Sequence, residues 1–216
     1  MAGKQRRQKS MRENPAAKAI LVVFAVFMLF SLVIYANDVI FKFDFIPSAD
    51  DIISWLNGKS NAVTVADGEI AVHFIDVEQG DCELIVSGDK TVLIDCGEKI
   101  HSERVKNYLK NQGIRKLDYI IATHPHEDHI GGMAEIMKEF TVGTVIMPEV
   151  PSDLLPMTQN FEDMLDTIDR RGITAEYSRL GRTLDLGNGA VLEFLAPVHD
   201  DYTNLNNYSI TCRLVH

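Results

Sequence analysis

Cysteine is scarce and odd in number: Cys82, Cys96 and Cys212 are the only three in 216 residues. A disulfide-stapled scaffold is thereby excluded, at least one thiol is left over in any pairing scheme, and no C-x-x-C spacing is present to suggest a zinc ribbon or a redox pair. Cys82 and Cys96 fall on neighbouring strands of a hairpin, where a bridge needs particular geometry, so free core thiols are the expectation. Internal repeats and low-complexity tracts are absent too. Positive charge is missing where it would be needed to hold a polyanion. Lysine and arginine number 21 against 31 aspartates and glutamates, for a net charge of −10. Removing the six bases and one acid of residues 1–18 leaves −15 on the remainder. A surface of that sign does not attract nucleic acid over long range.

Charge of either sign is absent from Ala19 to Ala36, eighteen residues that follow the basic segment. At about 1.5 Å per residue this run just spans a hydrocarbon core, and the basic flank predicts a cytoplasmic N-terminus. A cleaved signal peptide is the rival. Its apolar part is normally shorter, and Ile34-Tyr35-Ala36 is a poor cleavage site, so an uncleaved anchor in contact with membrane lipid is the better fit. Pro47, Asp50-Asp51 and the Asn57–Asn61 stretch break any long period afterwards, apart from one short helical turn around Ile52, Ile53, Trp55 and Leu56. The expected organisation is a cytoplasmic tail (1–18), an anchor (19–36), a linker (37–67) and one extracytoplasmic domain (68–216).

Within that domain the densest chemistry is Ile120-Ile121-Ala122-Thr123-His124-Pro125-His126-Glu127-Asp128-His129-Ile130-Gly131-Gly132. Leu117 to Thr123 reads as a buried strand, and Met133 to Phe140 resumes with helical periodicity. Three histidines and an aspartate thus occupy a strand-to-helix turn. An extended stretch, held by Pro125, would point His124 and His126 the same way, towards one ion. Asp128 and His129 would face a second ion beside it, with Asp128 also orienting a catalytic water.

Around this turn the pattern alternates. Glu69–Val77, Cys82–Val86, Thr91–Cys96, Val142–Met147, Leu184–Leu186, Ala190–Leu195 and Tyr208–Val215 read as strands, the last pair before Tyr208 joined by a Gly187-Asn188-Gly189 turn. Lys99–Gln112 and the segment around Phe161, Met164, Leu165 and Ile168 read as helices closed by Gly113 and Gly172. His73 inside a strand reads as a satisfied core histidine, and His101 as solvated. Asp95, ahead of Gly97, reads equally as a turn aspartate or as a carboxylate that fixes an imidazole tautomer. Strands and helices in this order argue for a layered α/β sandwich.

The motif His-x-His-x-Asp-His resembles the metal loop of the metallo-β-lactamase-fold hydrolases. Asp76-Val77-x-Gln79-Gly80-Asp81 and Leu93-Ile94-Asp95-Cys96-Gly97 narrow the resemblance to the ComEC-like branch, the DNA-uptake competence proteins and their single-domain relatives. That resemblance implies a four-layer αββα sandwich, a supporting role for Asp95, and two ions held by His124, His126, Asp128 and His129, zinc first and manganese as the alternative. It implies a membrane-anchored hydrolase using a metal-bound hydroxide on phosphodiesters, including DNA, with β-lactams and thioesters open because a fold does not fix a reaction. Glu78 stands where the family has glycine, which predicts a different turn and an extra acid near the pocket. Asn206-Asn207-Tyr208-Ser209 occupies the region where other branches carry a third histidine, and the family's later Gly-Asp turn and further histidine are not present. Either the chain is a fragment or the remaining ligands come from outside it, with His199 and His216 as candidate substitutes, and the 216-residue chain as written is expected to be inactive and poorly stable. A non-catalytic, single-metal binding module is the alternative function.

Overall fold

The computed structural model describes residues 15–41, 52 and 65–216, so the basic tail before Pro15 and the expected turn at Ile53–Leu56 lie outside the described residues. The chain divides into two compact units, 1–59 and 60–216. In the first, helix α1 (Pro15–Ala36) passes into a π-helical turn at Asn37–Phe41. The stretch Lys18–Ala36 has a mean hydropathy of 2.8. Leu21, Phe27 and Leu29 are each more than 60 % exposed. A helix apolar on all sides and uncovered is not a core helix; its length and composition suit a membrane span or a signal sequence.

The second unit holds two sheets. Strands β1 (Ile70–Phe74), β2 (Glu83–Ser87), β3 (Lys90–Ile94), β4 (Lys116–Ile121), β5 (Thr141–Met147) and β6 (Thr174–Tyr177) form a six-stranded sheet in sequence order. The first three pair antiparallel through hairpins, and β3 to β6 pair parallel. Parallel pairs need crossovers. These are α2 (Ser102–Asn111), the short α3 (Glu127–Ile130) with α4 (Met133–Glu139), and α5 (Gln159–Arg171). Strands β7 (Thr183–Asp185), β8 (Val191–Ala196) and β9 (Thr211–Val215) form a second, antiparallel sheet.

Side-chain alternation divides the core in two. Leu84, Leu93, Ile120 and Val145 lie in register across four strands and pack against Val105, Leu109, Met133, Ile136 and Phe161 of the helices. Their neighbours Ile85, Val92, Ile121 and Ile146 pack against Leu184, Leu192 and Phe194 of the second sheet. Both faces of the central strands are thus covered, which explains their unbroken apolar sequence. The result is an α/β sandwich with a mixed sheet, in which the described residues supply a helix layer and two sheets.

Several details depart from the sequence expectations. In β1 the structure buries His73 and Ile75 and leaves Val72 41 % and Phe74 80 % exposed, so the more polar side of this edge strand is the covered one. His73 is satisfied, as expected, by a 2.8 Å hydrogen bond between Nδ1 and the Tyr108 hydroxyl. Strand β6 gave no signal, because Thr-Ala-Glu-Tyr is only four residues long, too short for its alternation to stand out. The last strand starts at Thr211, and Leu205–Tyr208 before it is a 3-10 turn capped by the Asn204 side chain. All three cysteines are free, as expected, and burial raises the thiol pKa of each.

Candidate metal centre

The C-terminal ends of β3 to β6 share one edge of the large sheet, the usual place for a site in such a fold. The loop from Ala122 to His126 leaves β4 there. It is not extended: the His126 N–H donates to the His124 carbonyl at 3.0 Å, closing a three-residue turn on Pro125. Proline's fixed φ of about −65° lies close to that of an inverse γ-turn, which accounts for the departure. The turn still brings the two histidines together, with ring centroids 4.8 Å apart and nearly perpendicular. Residues 127–130 then form α3, with His126 at its N-cap and Asp128 in its first turn. One helical turn carries His129 back over His124, at 4.1 Å between centroids. Its Nε2 lies 3.9 Å from Asp128 Oδ2. The rings of His124, His126 and His129 are thus brought together, with the Asp128 carboxylate beside His129.

Asp95 lies beneath them, fully buried, at the end of β3. Its Oδ1 accepts from the Thr123 N–H at 2.8 Å, and its Oδ2 accepts from the Thr123 hydroxyl at 2.5 Å. His129 Nδ1 stands 2.8 Å from the same Oδ2. The carboxylate has only acceptors to offer, so Nδ1 carries the proton and Nε2 is left with its lone pair facing the cluster. Asp95 thus binds both the start of the metal loop and the His129 ring.

Asp81 was not singled out from the sequence. It follows Gly80 on the turn between β1 and β2, and its Oδ2 lies 3.8 Å from His129 Nδ1. Ligand atoms of Asp81, Asp95 and His129 all fall within 4.8 Å of one another. The signal was the Gly-Asp pair in the β1–β2 turn. Gly80 has a φ of +99°, and a Cβ there would stand 1.8 Å from the Asp128 carbonyl oxygen, so only glycine lets this turn close on the metal loop.

Electrostatics follow burial. Desolvation, helped by the neighbouring His129 and His126, pulls the His124 pKa down to about 4, so its imidazole is neutral near pH 7. Burial also pulls on His129, but the hydrogen bond and charge of Asp95, with Asp128 and Asp81, reverse it and leave the pKa raised. Burial raises Asp95 against the hydrogen bonds from His129 and Thr123. Glu83, at the start of β2, is pushed up to about 7 by burial and by Asp81 and Asp95.

Glu78, His199 and His216 have the following surroundings. Glu78 adopts a left-handed φ of +61°, yet its carboxylate turns to Arg104 at 3.3 Å, away from the histidines. His199 stacks edge-on against Tyr202, and His216 is exposed after β9. The 205–209 segment does return to the loop: after it, the Ile210 N–H donates to the Thr123 carbonyl at 2.9 Å.

A family model described as the metallo-beta-lactamase superfamily matches residues 75–199, more than half the chain, and contains Asp81, Asp95, His124, His126, Asp128 and His129. The chain belongs to the metallo-beta-lactamase superfamily. It is 30 % identical over 116 residues to the anaerobic nitric oxide reductase flavorubredoxin of Pectobacterium atrosepticum, covering 51 % of this chain and 20 % of that protein. The flavorubredoxin of Klebsiella pneumoniae is 31 % identical over the same length, covering 51 % and 21 %. The chain thus spans about a fifth of the length of these curated relatives. Among solved structures, MEM-A1, a subclass B3 metallo-beta-lactamase from a soil metagenome library, is similar with a TM-score of 0.48 at 17 % identity, covering 71 % of this chain and 56 % of that one. BJP-1 of Bradyrhizobium japonicum, of the same subclass, gives 0.47 at 18 %, covering 70 % and 55 %. The superfamily rests on the family model, and the ComEC-like branch is not shown by these comparisons.

Proposed function

We propose that the chain is a membrane-anchored, metal-dependent hydrolase of phosphodiesters, with residues 19–36 as the anchor and a ComEC-like metallo-β-lactamase domain outside the membrane. The observation that carries the reading is the convergence of His124, His126, Asp128 and His129 over a buried Asp95 that holds His129 by Nδ1. The donor set fits a divalent ion: His124 is kept neutral by burial, His129 presents Nε2, and Asp128 and Asp81 add charge. His124 and His126 would hold one ion and Asp128 and His129 a second, zinc first and manganese as the alternative. Bound there, such ions would polarise the phosphoryl oxygen and bring the pKa of an attached water to about 7. Asp128 orients the attacking water and takes its proton. Hydrolysis forms one bond from the water oxygen to phosphorus and breaks the bond to the leaving oxygen, which departs with a proton. The acidic surface argues for a small phosphodiester over a long nucleic-acid strand.

The test is zinc and manganese content of the full chain by elemental analysis, beside turnover of bis-p-nitrophenyl phosphate. Replacing His124 and His126 together should remove at least one ion per chain; turnover by the 216-residue chain, abolished by Asp128→Asn while the protein still melts cooperatively, would overturn the expectation that the chain as written is inactive. Metal content unchanged in the double variant would overturn the ligand assignment. Metal retained without turnover would favour the non-catalytic binding module.

A further inference from the structure

His124 and Pro125 have a second surface. Besides facing the histidine cluster, they form one wall of a pocket completed by Met147 and Val150 at the end of β5, Leu165 on α5 and Tyr177 at the end of β6. The cavity is small, about 100 Å³, below the roughly 300–1,000 Å³ usual for sites that take a whole ligand, so it has room for one substituent of a ligand. None of its lining residues carries a carboxylate, ammonium or guanidinium group, in a chain with 52 such side chains counting both signs. Apolar surface is left facing it: Leu165 is 40 % and Tyr177 51 % exposed. On α5, Phe161, Met164 and Ile168 are buried in the core, and Leu165 sits one position to the side of that face, where a helix of this polarity would ordinarily carry a charge.

We infer that this pocket holds an apolar group of the substrate, a short alkyl chain or an aryl ring, while the phosphodiester to which it is attached lies at the metal centre. The inference rests on the hydrolase reading for what happens at the phosphorus, but the occupant of the pocket follows from its lining. A phosphate or a sugar would meet no cation and few polar partners there, and its desolvation would go uncompensated. An alkyl or aryl group replaces water against Met147, Leu165 and Tyr177 at no such cost. The shared wall fixes the direction: a group seated against Pro125 has its attachment point next to His124. The substrate class narrows accordingly, from phosphodiesters at large to those with one apolar substituent.

Two measurements on the full chain separate the pocket from the chemistry. In chelator, binding of butanol, hexanol and octanol followed by ligand-observed NMR should tighten roughly fourfold per added methylene until the pocket is full. Leu165→Asp should weaken octanol binding at least tenfold. Val150→Asp, on the loop after β5, gives the same reading should the helix variant fail to fold. With zinc or manganese added, kcat/KM for p-nitrophenyl alkyl phosphates should rise along the methyl, butyl, hexyl series and lose that rise in either variant. Alcohol binding that ignores chain length, or is unchanged in both variants, overturns the inference. Length-dependent alcohol binding without any turnover leaves the pocket standing and sinks the hydrolase reading instead.

Discussion

At the scale of single residues, Asp95 decides the most. It is the point at which the end of one strand, the start of the metal loop and the most buried edge of His129 are tied by three hydrogen bonds. Asp95→Ala should lower metal affinity by about 10- to 100-fold, as loss of a ligand-orienting partner does, measured by competition with a chromophoric chelator. Affinity within twofold of the wild type would mean that His129 needs no such support. Burial also gives the metal-free protein a pH dependence of two opposite signs. His124 has a folded pKa of about 4 against 6.5 for the free side chain, so its share of stability is present above 6.5 and is lost as pH falls towards 4. Glu83 is raised from 4.5 to about 7, so its share is full below 4.5 and is lost as pH rises through 7. In chelator, His124→Gln should gain on the wild type in melting temperature between pH 6.5 and 4, and Glu83→Gln should gain between pH 5 and 8. Parallel pH profiles for wild type and both variants would contradict this.

Among the elements, the parallel strands depend on a polar clamp far from the metal loop. Asp118 on β4 accepts from the Thr91 N–H of β3 at 3.0 Å and from Lys116 Nζ at 2.6 Å, and Lys90 approaches at 3.8 Å. Asp118→Ala strands the buried Thr91 N–H, which should cost about 1–3 kcal/mol in urea unfolding. A smaller loss would show that water replaces the carboxylate. Elements of this kind differ in how far they can be read from sequence. The metal loop was legible because its four donors are neighbours in the chain, and β3 to β5 because burial on both faces leaves an unmistakable apolar run. Asp81 was visible only as part of the Gly80-Asp81 motif and without a role, because its place depends on Gly80 letting a distant turn close on Asp128, a tertiary contact. The turn at Pro125 was misread as extended because proline suits both conformations, and only the His126 N–H decides between them. Strand β6 escaped notice because four residues are too short a run for alternation to register.

For the molecule as a whole, the fold places a helix-covered sheet and a small antiparallel sheet around a common wall, with the metal loop at their shared rim. The loop belongs to the large sheet by its own strand, yet Thr123 also accepts the Ile210 N–H that immediately precedes β9. One carbonyl one residue before His124 thus joins both halves of the sandwich. The Ile210 amide is therefore a built-in reporter: whatever stiffens the loop must slow its exchange with deuterium, whereas the Ile173 amide, bonded to Ile168 at the far end of α5, has no reason to respond. Zinc added to the full chain should lengthen the exchange lifetime at Ile210 and leave Ile173 as it was. Equal lifetimes at Ile210 with and without zinc would mean that the second sheet and the loop open independently.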